Sequence, residues 1–251
     1  MKFRSLFFLF IFAIFLSSCM SMALNSIDAY KDHNSVSFFS NGNKMVAYIP
    51  MTHVGKKEFY ADIKNKVDSL QYNGYIVLME SVKVRDSLTG PQKDTLRRKV
   101  RRLLGVDLNG KGYLDTINGT LMGIKFKNKQ GLINQPPYYK LGVDTLKGRR
   151  EDVPINVLLK AYEEQYGEIS LTDCDFTTPL GNKYNCMREV NNWMNEFVLG
   201  YRNRHLAAAI IDESNQKIAV LYGAMHHGGL LEELTKLDST FTERKDLYRK
   251  K

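Results

Sequence analysis

Apolar and polar positions alternate, cluster and repeat along this chain in ways that predict most of its elements. The first run is continuous: Leu6–Leu16 holds about eleven apolar residues, preceded by Lys2 and Arg4. A membrane-spanning helix needs roughly 20 apolar residues, so a basic start and a short apolar core describe an export signal instead. Beyond residue 28 the pattern changes to that of a folded domain. The β-rich runs Val36–Ser40 and Lys44–Pro50 flank Asn41-Gly42, which predicts an N-terminal hairpin. Phe59, Ile63, Val67 and Leu70 then recur at helical spacing, Asn73-Gly74 breaks the chain, and Tyr75–Met79 is an apolar strand candidate. Strand, helix and strand within so short a stretch form a βαβ unit with parallel pairing.

The second half continues the alternation. Tyr139–Val143 is a short strand candidate, followed by a helix with Asp152 as its N-cap, Pro154 in the first turn and Gly167 past its end. A longer helix is expected over Met187–Ile211, a strand over Lys217–Tyr222 and a last helix over Gly229–Leu237. The region 84–138 is basic, irregular and broken by Gly and Asn, and reads as an insertion with one or two helices and a mobile loop. These elements predict an α/β fold: a mostly parallel or mixed central sheet with flanking helices, an N-terminal β-hairpin and a helical insertion. Residues 28–251 are expected to form a single domain, since their number suffices for one sizeable core.

Composition adds compartment and charge. Small residues Ser17 and Ser18 follow the apolar run, and Cys19 comes directly after them. Leu16-Ser17-Ser18-Cys19 looks like a bacterial lipobox, which predicts a signal peptide over 1–18, a lipid-bearing Cys19 and a tether over 19–27. Acyl chains contribute about 0.8 kcal/mol per buried methylene, so a lipidated Cys19 would anchor the domain to a membrane. Met20 is no acidic retention signal, and the outer membrane is the expected destination. The formal charge is +9, and removing Lys2 and Arg4 still leaves the chain basic. Arg97, Arg98, Lys99, Arg101 and Arg102 are interleaved with Leu96, Val100, Leu103 and Leu104, which reads as an amphipathic helix with a solvated face, or as attraction to anionic lipid or an acidic partner. Nucleic acid is not an expected partner of an exported chain lacking a reading motif. In an oxidising compartment Cys174 and Cys186 are expected to pair across a Pro- and Gly-containing loop.

Candidate chemistry collects after the strands. Asp107, Asn109 and Gly112 only faintly resemble a calcium loop, because Lys111 takes a ligand position, and they read as a surface turn. His53, Glu80 and His226, by contrast, each follow an expected strand. Ligands of open α/β sheets bind beyond the carboxyl ends of strands, so two imidazoles and a carboxylate there predict a three-ligand metal site with an open position. Zinc and manganese both suit mixed imidazole and carboxylate ligation.

Pro50-Met51-Thr52-His53, Glu80 after a strand, Arg202-Asn203 on a long helix and Gly223-Ala224-Met225-His226 occur in that order. In this the chain resembles the TraB/PrgY/GumN group, related to the TIKI proteases and more distantly to the ChaN and erythromycin-esterase families, over about residues 36–237. The resemblance implies an α/β fold with inserted helices and a pocket lined by His53, Glu80, Arg202 and His226. It further implies metal-dependent hydrolysis of an amide or ester bond, most plausibly in a peptide, with Arg202 supporting the oxyanion or clamping a substrate carboxylate. Three rival readings use the same pocket: haem or peptide binding without turnover, metal-free hydrolysis with a His as base oriented by Glu80, and regulation through a vestigial site. Asp144, Asn203 and His227 are further candidate binding residues, although Asp144 also reads as a turn former and His227 as a bystander. Gly228-Gly229 would let the backbone approach a ligand at the start of the last helix. The first motif departs from the family by carrying Pro50 in place of Gly, so the turn before His53 must differ locally.

Overall fold

The computed structural model describes residues 24–25, 27–84, 88–107, 113–189 and 192–249. The expected signal peptide 1–18, Cys19, most of the tether, Asn109, Lys111, Gly112 and Val190 lie outside the described residues. The central sheet contains β1 (Ser37–Ser40), β2 (Met45–Met51), β4 (Ile76–Met79), β9 (Gly148–Arg150), β10 (Lys217–Gly223) and β11 (Thr242–Glu243). Five two-residue strands form two small sheets beside it: β3 (Val54–Gly55), β5 (Leu114–Asp115), β6 (Thr120–Leu121), β7 (Ile124–Lys125) and β8 (Ile133–Asn134). The helices are α1 (Lys57–Tyr72), α2 (Gly90–Leu104), α3 (Ile155–Tyr166), α4 (Asp173–Thr177), α5 (Arg202–Asp212) and α6 (His227–Leu237).

The fold is α/β with a mixed, mostly parallel sheet in the order β11-β1-β2-β10-β4-β9. β2, β10, β4 and β9 run parallel, while β1 pairs antiparallel with both neighbours. Alternation along β2 sends Ala47, Ile49 and Met51 to one face, where Phe59, Tyr60, Ile63 and Val67 of α1 cover them. Val46 and Tyr48 point to the other face, against Leu206, Ala207 and Ile210 of α5 and Leu230 and Leu234 of α6. Burying each such aliphatic chain contributes about 1.5–3 kcal/mol, which fixes the register, since a one-residue slip would exchange the faces. A third cluster joins α2, α3, Trp193 and Phe197, and a fourth joins Leu24, Val54, Leu114, Leu121 and Leu132. Among the described residues, no helix is long and apolar enough to cross a membrane.

Several expectations need correction. Tyr139–Val143 is not a strand: Tyr138–Leu141 is a 3-10 turn ending at Gly142, whose φ is 81°. Gln71 holds this turn by donating to the Gly142 carbonyl and accepting from the Asp144 amide, at 2.8 and 2.9 Å. The fourth parallel strand is the polar β9 instead. The helix expected from Met187 begins later, as a π-helical stretch over Trp193–Tyr201 that continues into α5. Upstream, the Glu189 amide donates to the Arg102 carbonyl and the Arg188 guanidinium to the Leu103 carbonyl, engagements a helix there would forgo. Among the described residues the insertion holds one helix, within the one or two expected, together with small β-sheets that were not expected. Pro50 sits within β2 opposite Tyr222, past Tyr48, where pairing with β1 stops. Its missing N–H therefore breaks no pairing with β1, and its carbonyl accepts from Asn34 Nδ2 at 2.6 Å. Cys174 and Cys186 are joined by a disulfide spanning 12 residues.

Candidate functional site

Four parallel strands end at one edge of the sheet, and the residues just past three of them meet there. Glu80 follows β4, Asp152 lies two residues beyond β9, and the 3-10 turn Ala224–His226 follows β10. Arg202 and Asn203 open α5 directly after the π-helical stretch, a helical variant often found at functional sites. All five side chains join one network.

Arg202 is its hub. Nε donates to Asp152 Oδ1 and Nη2 to Asp152 Oδ2, both at 2.8 Å, and Nη2 also donates to Glu80 Oε1 at 2.6 Å. Nη1 donates to the Val198 carbonyl at 3.4 Å and faces His226 Nε2 at 3.1 Å. A guanidinium has five N–H groups, so every donor of Arg202 is directed at an acceptor. The pairs are buried: side-chain exposure is 3% for Arg202, 12% for Glu80 and 1% for Asp152. Uncompensated burial of the guanidinium would cost several kcal/mol, which the two carboxylates offset.

Because a guanidinium only donates, His226 Nε2 accepts, and the ring proton sits on Nδ1, donating to Asn203 Oδ1 at 2.7 Å. Burial and the Arg202 charge, opposed by Glu80 and Asp152, push the His226 pKa down to about 4. Burial alone would raise Glu80, but the charge and hydrogen bond of Arg202 hold its carboxyl below the usual range. Burial would likewise lower Arg202, and Asp152 and Glu80 instead raise it. The ionised cluster thus contains two carboxylates, one guanidinium and one neutral imidazole.

The shell around it is built from backbone and tyrosines. Glu80 Oε2 accepts from the Gly223 amide at 2.7 Å, and a Cβ at Gly223 would stand 3.3 Å from that oxygen. Tyr138 donates to the Glu80 carbonyl and Tyr48 to the Gly223 carbonyl, both at 2.7 Å. Asp152 Oδ2 also accepts from the Ser81 amide at 2.8 Å.

His53 is placed differently from its two expected partners. It is exposed, and its ring stacks on Tyr113 with centroids 4.6 Å apart and planes at 10°. It remains within electrostatic reach of Glu80 and His226. Asp144 does not join the site: it is exposed and closes a turn by accepting from the Leu146 amide at 2.8 Å. His227 points elsewhere as well, packing its ring 5.2 Å from those of Phe39 and Tyr48. Gly229 serves Asn203 rather than a ligand, because a Cβ there would stand 2.2 Å from Asn203 Nδ2.

Asp152 is the site residue that the sequence reading misassigned. It is not the N-cap, a position held by Pro154, and it is tied to Arg202 instead. The available signal was electrostatic: an Arg expected inside a pocket requires more counter-charge than a shared Glu80 supplies.

The expected metal centre does not fit this arrangement. Among the described residues, no three His, Cys, Asp or Glu side chains are grouped to hold a metal ion. The Arg202 guanidinium stands between Glu80 and His226 and engages the atoms that would ligate. The second Glu80 oxygen faces the Gly223 amide, and His53 lies against Tyr113. The same commitment of His226 Nε2 removes it as a haem ligand. A cavity of about 160 Å³ opens beside these strand ends, lined among others by Pro50, Met51, Thr52, Phe59, His33 and Ala224. Comparison with protein-family models, with curated proteins and with solved structures gives no match for this chain.

Proposed function

We propose that this chain is a lipid-anchored envelope hydrolase that cleaves an amide or ester bond, most plausibly in a peptide, by general-base catalysis. The observation that carries this reading is the commitment of all five Arg202 donors, which fixes an ionised Glu80 at the strand ends, within electrostatic reach of the exposed His53 imidazole. In it, His53 removes a proton from water as that water attacks the carbonyl carbon. Glu80 stabilises the imidazolium so formed, its charge being held in place by Arg202 and the Gly223 amide. His53 then returns the proton to the leaving nitrogen or oxygen. The stacking partner Tyr113 limits the orientations of the His53 ring. Arg202 acts through Glu80 and is a positioning residue here, which replaces the oxyanion role first expected of it.

The test is hydrolysis of a peptide and ester library by the intact chain, with and without chelator. Chelator-resistant turnover that falls 100-fold or more in His53→Gln supports the reading, in line with the 10²–10⁴-fold typical of general bases. Turnover unaffected by His53→Gln refutes it. One observation favours the metal-dependent alternative: the Nδ1–H tautomer of His226, oriented by Asn203, is the form in which Nε2 ligates metals. That form would require Arg202 to release both Glu80 and His226. Stoichiometric metal by elemental analysis, lost in His226→Ala together with activity, would establish it.

A further inference from the structure

The basic helix α2 expected to face solvent or lipid spends its charge internally. Arg97 pairs with Asp107, Arg98 with Asp94, Lys99 with Glu163 and Arg102 with Asp175, all within 2.8 Å. Among the described residues, positive charge with no carboxylate beside it lies elsewhere, on and just after the small sheet β5-β6-β7, where Lys125 donates only to the Asn118 carbonyl. There Lys125, Lys127 and Lys129 are all exposed within five residues. Beside them stand exposed apolar side chains: Met122 at 45%, Ile124 at 53% and Ile117 at 94%.

The hairpin tip is built at a conformational cost. Leu121 pairs with Ile124, so Met122 and Gly123 are the two turn residues, and both have positive φ, 50° and 79°. Such turns favour Asn, Asp or Gly at the first position, and an unbranched apolar chain gains nothing from that backbone. Met122 is thus held in a left-handed conformation with its side chain in water. A residue with a solvent-seeking side chain would serve the turn better, whereas an apolar partner would compensate for Met.

The position of this finger names the partner. Its underside, Leu114 and Leu121, packs in one cluster with Leu24, the first described residue of the chain. Cys19 precedes Leu24 by five residues, which extend at most about 18 Å. A lipid on Cys19 would therefore keep a bilayer within about 18 Å of the finger's base. Apolar side chains at a tip with lysines behind them match a bilayer interface, with acyl chains below and anionic headgroups above.

We infer that the Met122–Ile124 hairpin tip, with Lys125, Lys127 and Lys129, is a second membrane contact that inserts into an anionic lipid surface. It rests on the lipid-anchor part of the proposed function and is independent of the hydrolytic part. Because Tyr113 leads into β5 and stacks on His53, this contact also sets the site's mouth beside the membrane.

The experiment uses the mature full-length chain with an environment-sensitive fluorophore on Ile124→Cys, and separately on Tyr72→Cys. Tyr72 is 91% exposed and ends α1, at the opposite edge of the sheet. On vesicles of 70% phosphatidylcholine and 30% phosphatidylglycerol, the probe at 124 should shift to the blue and be quenched by lipid-borne nitroxide, and the probe at 72 should not. Charge reversal of all three lysines should weaken binding of the unlipidated Cys19→Ala chain by 100-fold or more, at about fivefold per lysine near an anionic surface. A probe at 124 that remains aqueous on vesicle-bound protein overturns the inference and leaves the tip as a protein-docking surface. Palmitate labelling, scored separately, decides the anchor. If Cys19 proves unlipidated, lipid quenching at 124 still sustains the finger, and its loss overturns it.

Discussion

Replacing Arg202 with Met keeps an unbranched apolar stem in the buried position and removes the guanidinium that Glu80 and Asp152 share. Two carboxylates then remain, 12% and 1% exposed, with no cation between them. Breaking a buried ion pair from one side typically costs about 3–5 kcal/mol, a large part of the 5–15 kcal/mol that holds a domain folded. The cost depends on pH in a direction the structure fixes. In the parent chain Glu80 is held low by Arg202, so its contribution is present above its unfolded pKa and lost as pH falls through the folded one. In the variant the two largest lowering influences, the charge and hydrogen bond of Arg202, are gone and burial dominates, so the folded pKa exceeds the unfolded one and stability is lost as pH rises through it. The difference between the two chains should therefore widen with pH, by up to about 1.4 kcal/mol per unit per proton. Urea unfolding at pH 5 and pH 8 measures it, with about 3–5 kcal/mol expected at pH 8 and clearly less at pH 5. His226 offers an escape: freed from the Arg202 charge that lowers its pKa, it can take a proton and neutralise Glu80. The double variant Arg202→Met, His226→Leu closes that route and should be the less stable at pH 8. A difference below about 1 kcal/mol at pH 8, or one equal at both pH values, would refute the account of Arg202 as a shared counter-ion.

Three further outcomes follow from the same contacts. His226 has a folded pKa of about 4 against 6.5 for a free imidazole, so its contribution is fully present above about 6.5 and lost as pH falls towards 4, by about 3 kcal/mol. Thermal unfolding of the parent should show this slope between pH 6.5 and 4, and His226→Leu should flatten it. Gly229→Ala gains about 1 kcal/mol of helix propensity but places a Cβ 2.2 Å from Asn203 Nδ2, a clash costing about 1–3 kcal/mol. Calorimetry should find it destabilised, and nitrogen NMR should show His226 no longer fixed in the Nδ1–H form. Replacing Cys174 and Cys186 with Ser should remove about 3 kcal/mol by the loop-closure argument for a 12-residue separation, while the distant Arg202 cluster keeps its pH signature.

The legible part of this fold is the part whose burial is written as periodicity. β2, β4 and β10 are apolar runs covered on both faces, and α1 carries its stripe at Phe59, Ile63 and Val67. β9 was invisible for the same reason in reverse: Gly148-Arg149-Arg150 is an edge strand whose side chains face water, so neither alternation nor an apolar run marks it. Missing β9 meant missing Asp152, since the residue past an unrecognised strand looks like the start of the next helix. Tyr139–Val143 erred the other way, because Leu141 and Val143 are buried two apart in a turn that Gln71 organises from α1. Glu80, Arg202 and His226 were placed together by motif order, yet their chemistry depends on which atom meets which. That information lies in the direction from which α5 enters the strand ends.

The direction of entry matters because it decides what holds the two carboxylates together. Parallel strands deliver Glu80 and Asp152 to the same edge, where they would repel each other unless a cation intervenes. A metal ion and a guanidinium both solve this problem, but they leave different chemistry behind. A metal would leave an open coordination position for water, whereas Arg202 has its donors filled by Asp152, Glu80, Val198 and His226. The reactive group must then come from outside the network, and His53 is the imidazole at its margin, steadied by Tyr113 from the small-sheet lobe. Replacing Tyr113 with Leu would remove that stacking face without touching the Arg202 cluster. Under the general-base reading it should lower kcat about tenfold and broaden the His53 proton resonances, while the pH dependence of unfolding stays that of the parent. Unchanged turnover in Tyr113→Leu, with His53→Gln still inactive, would show that His53 needs no such support.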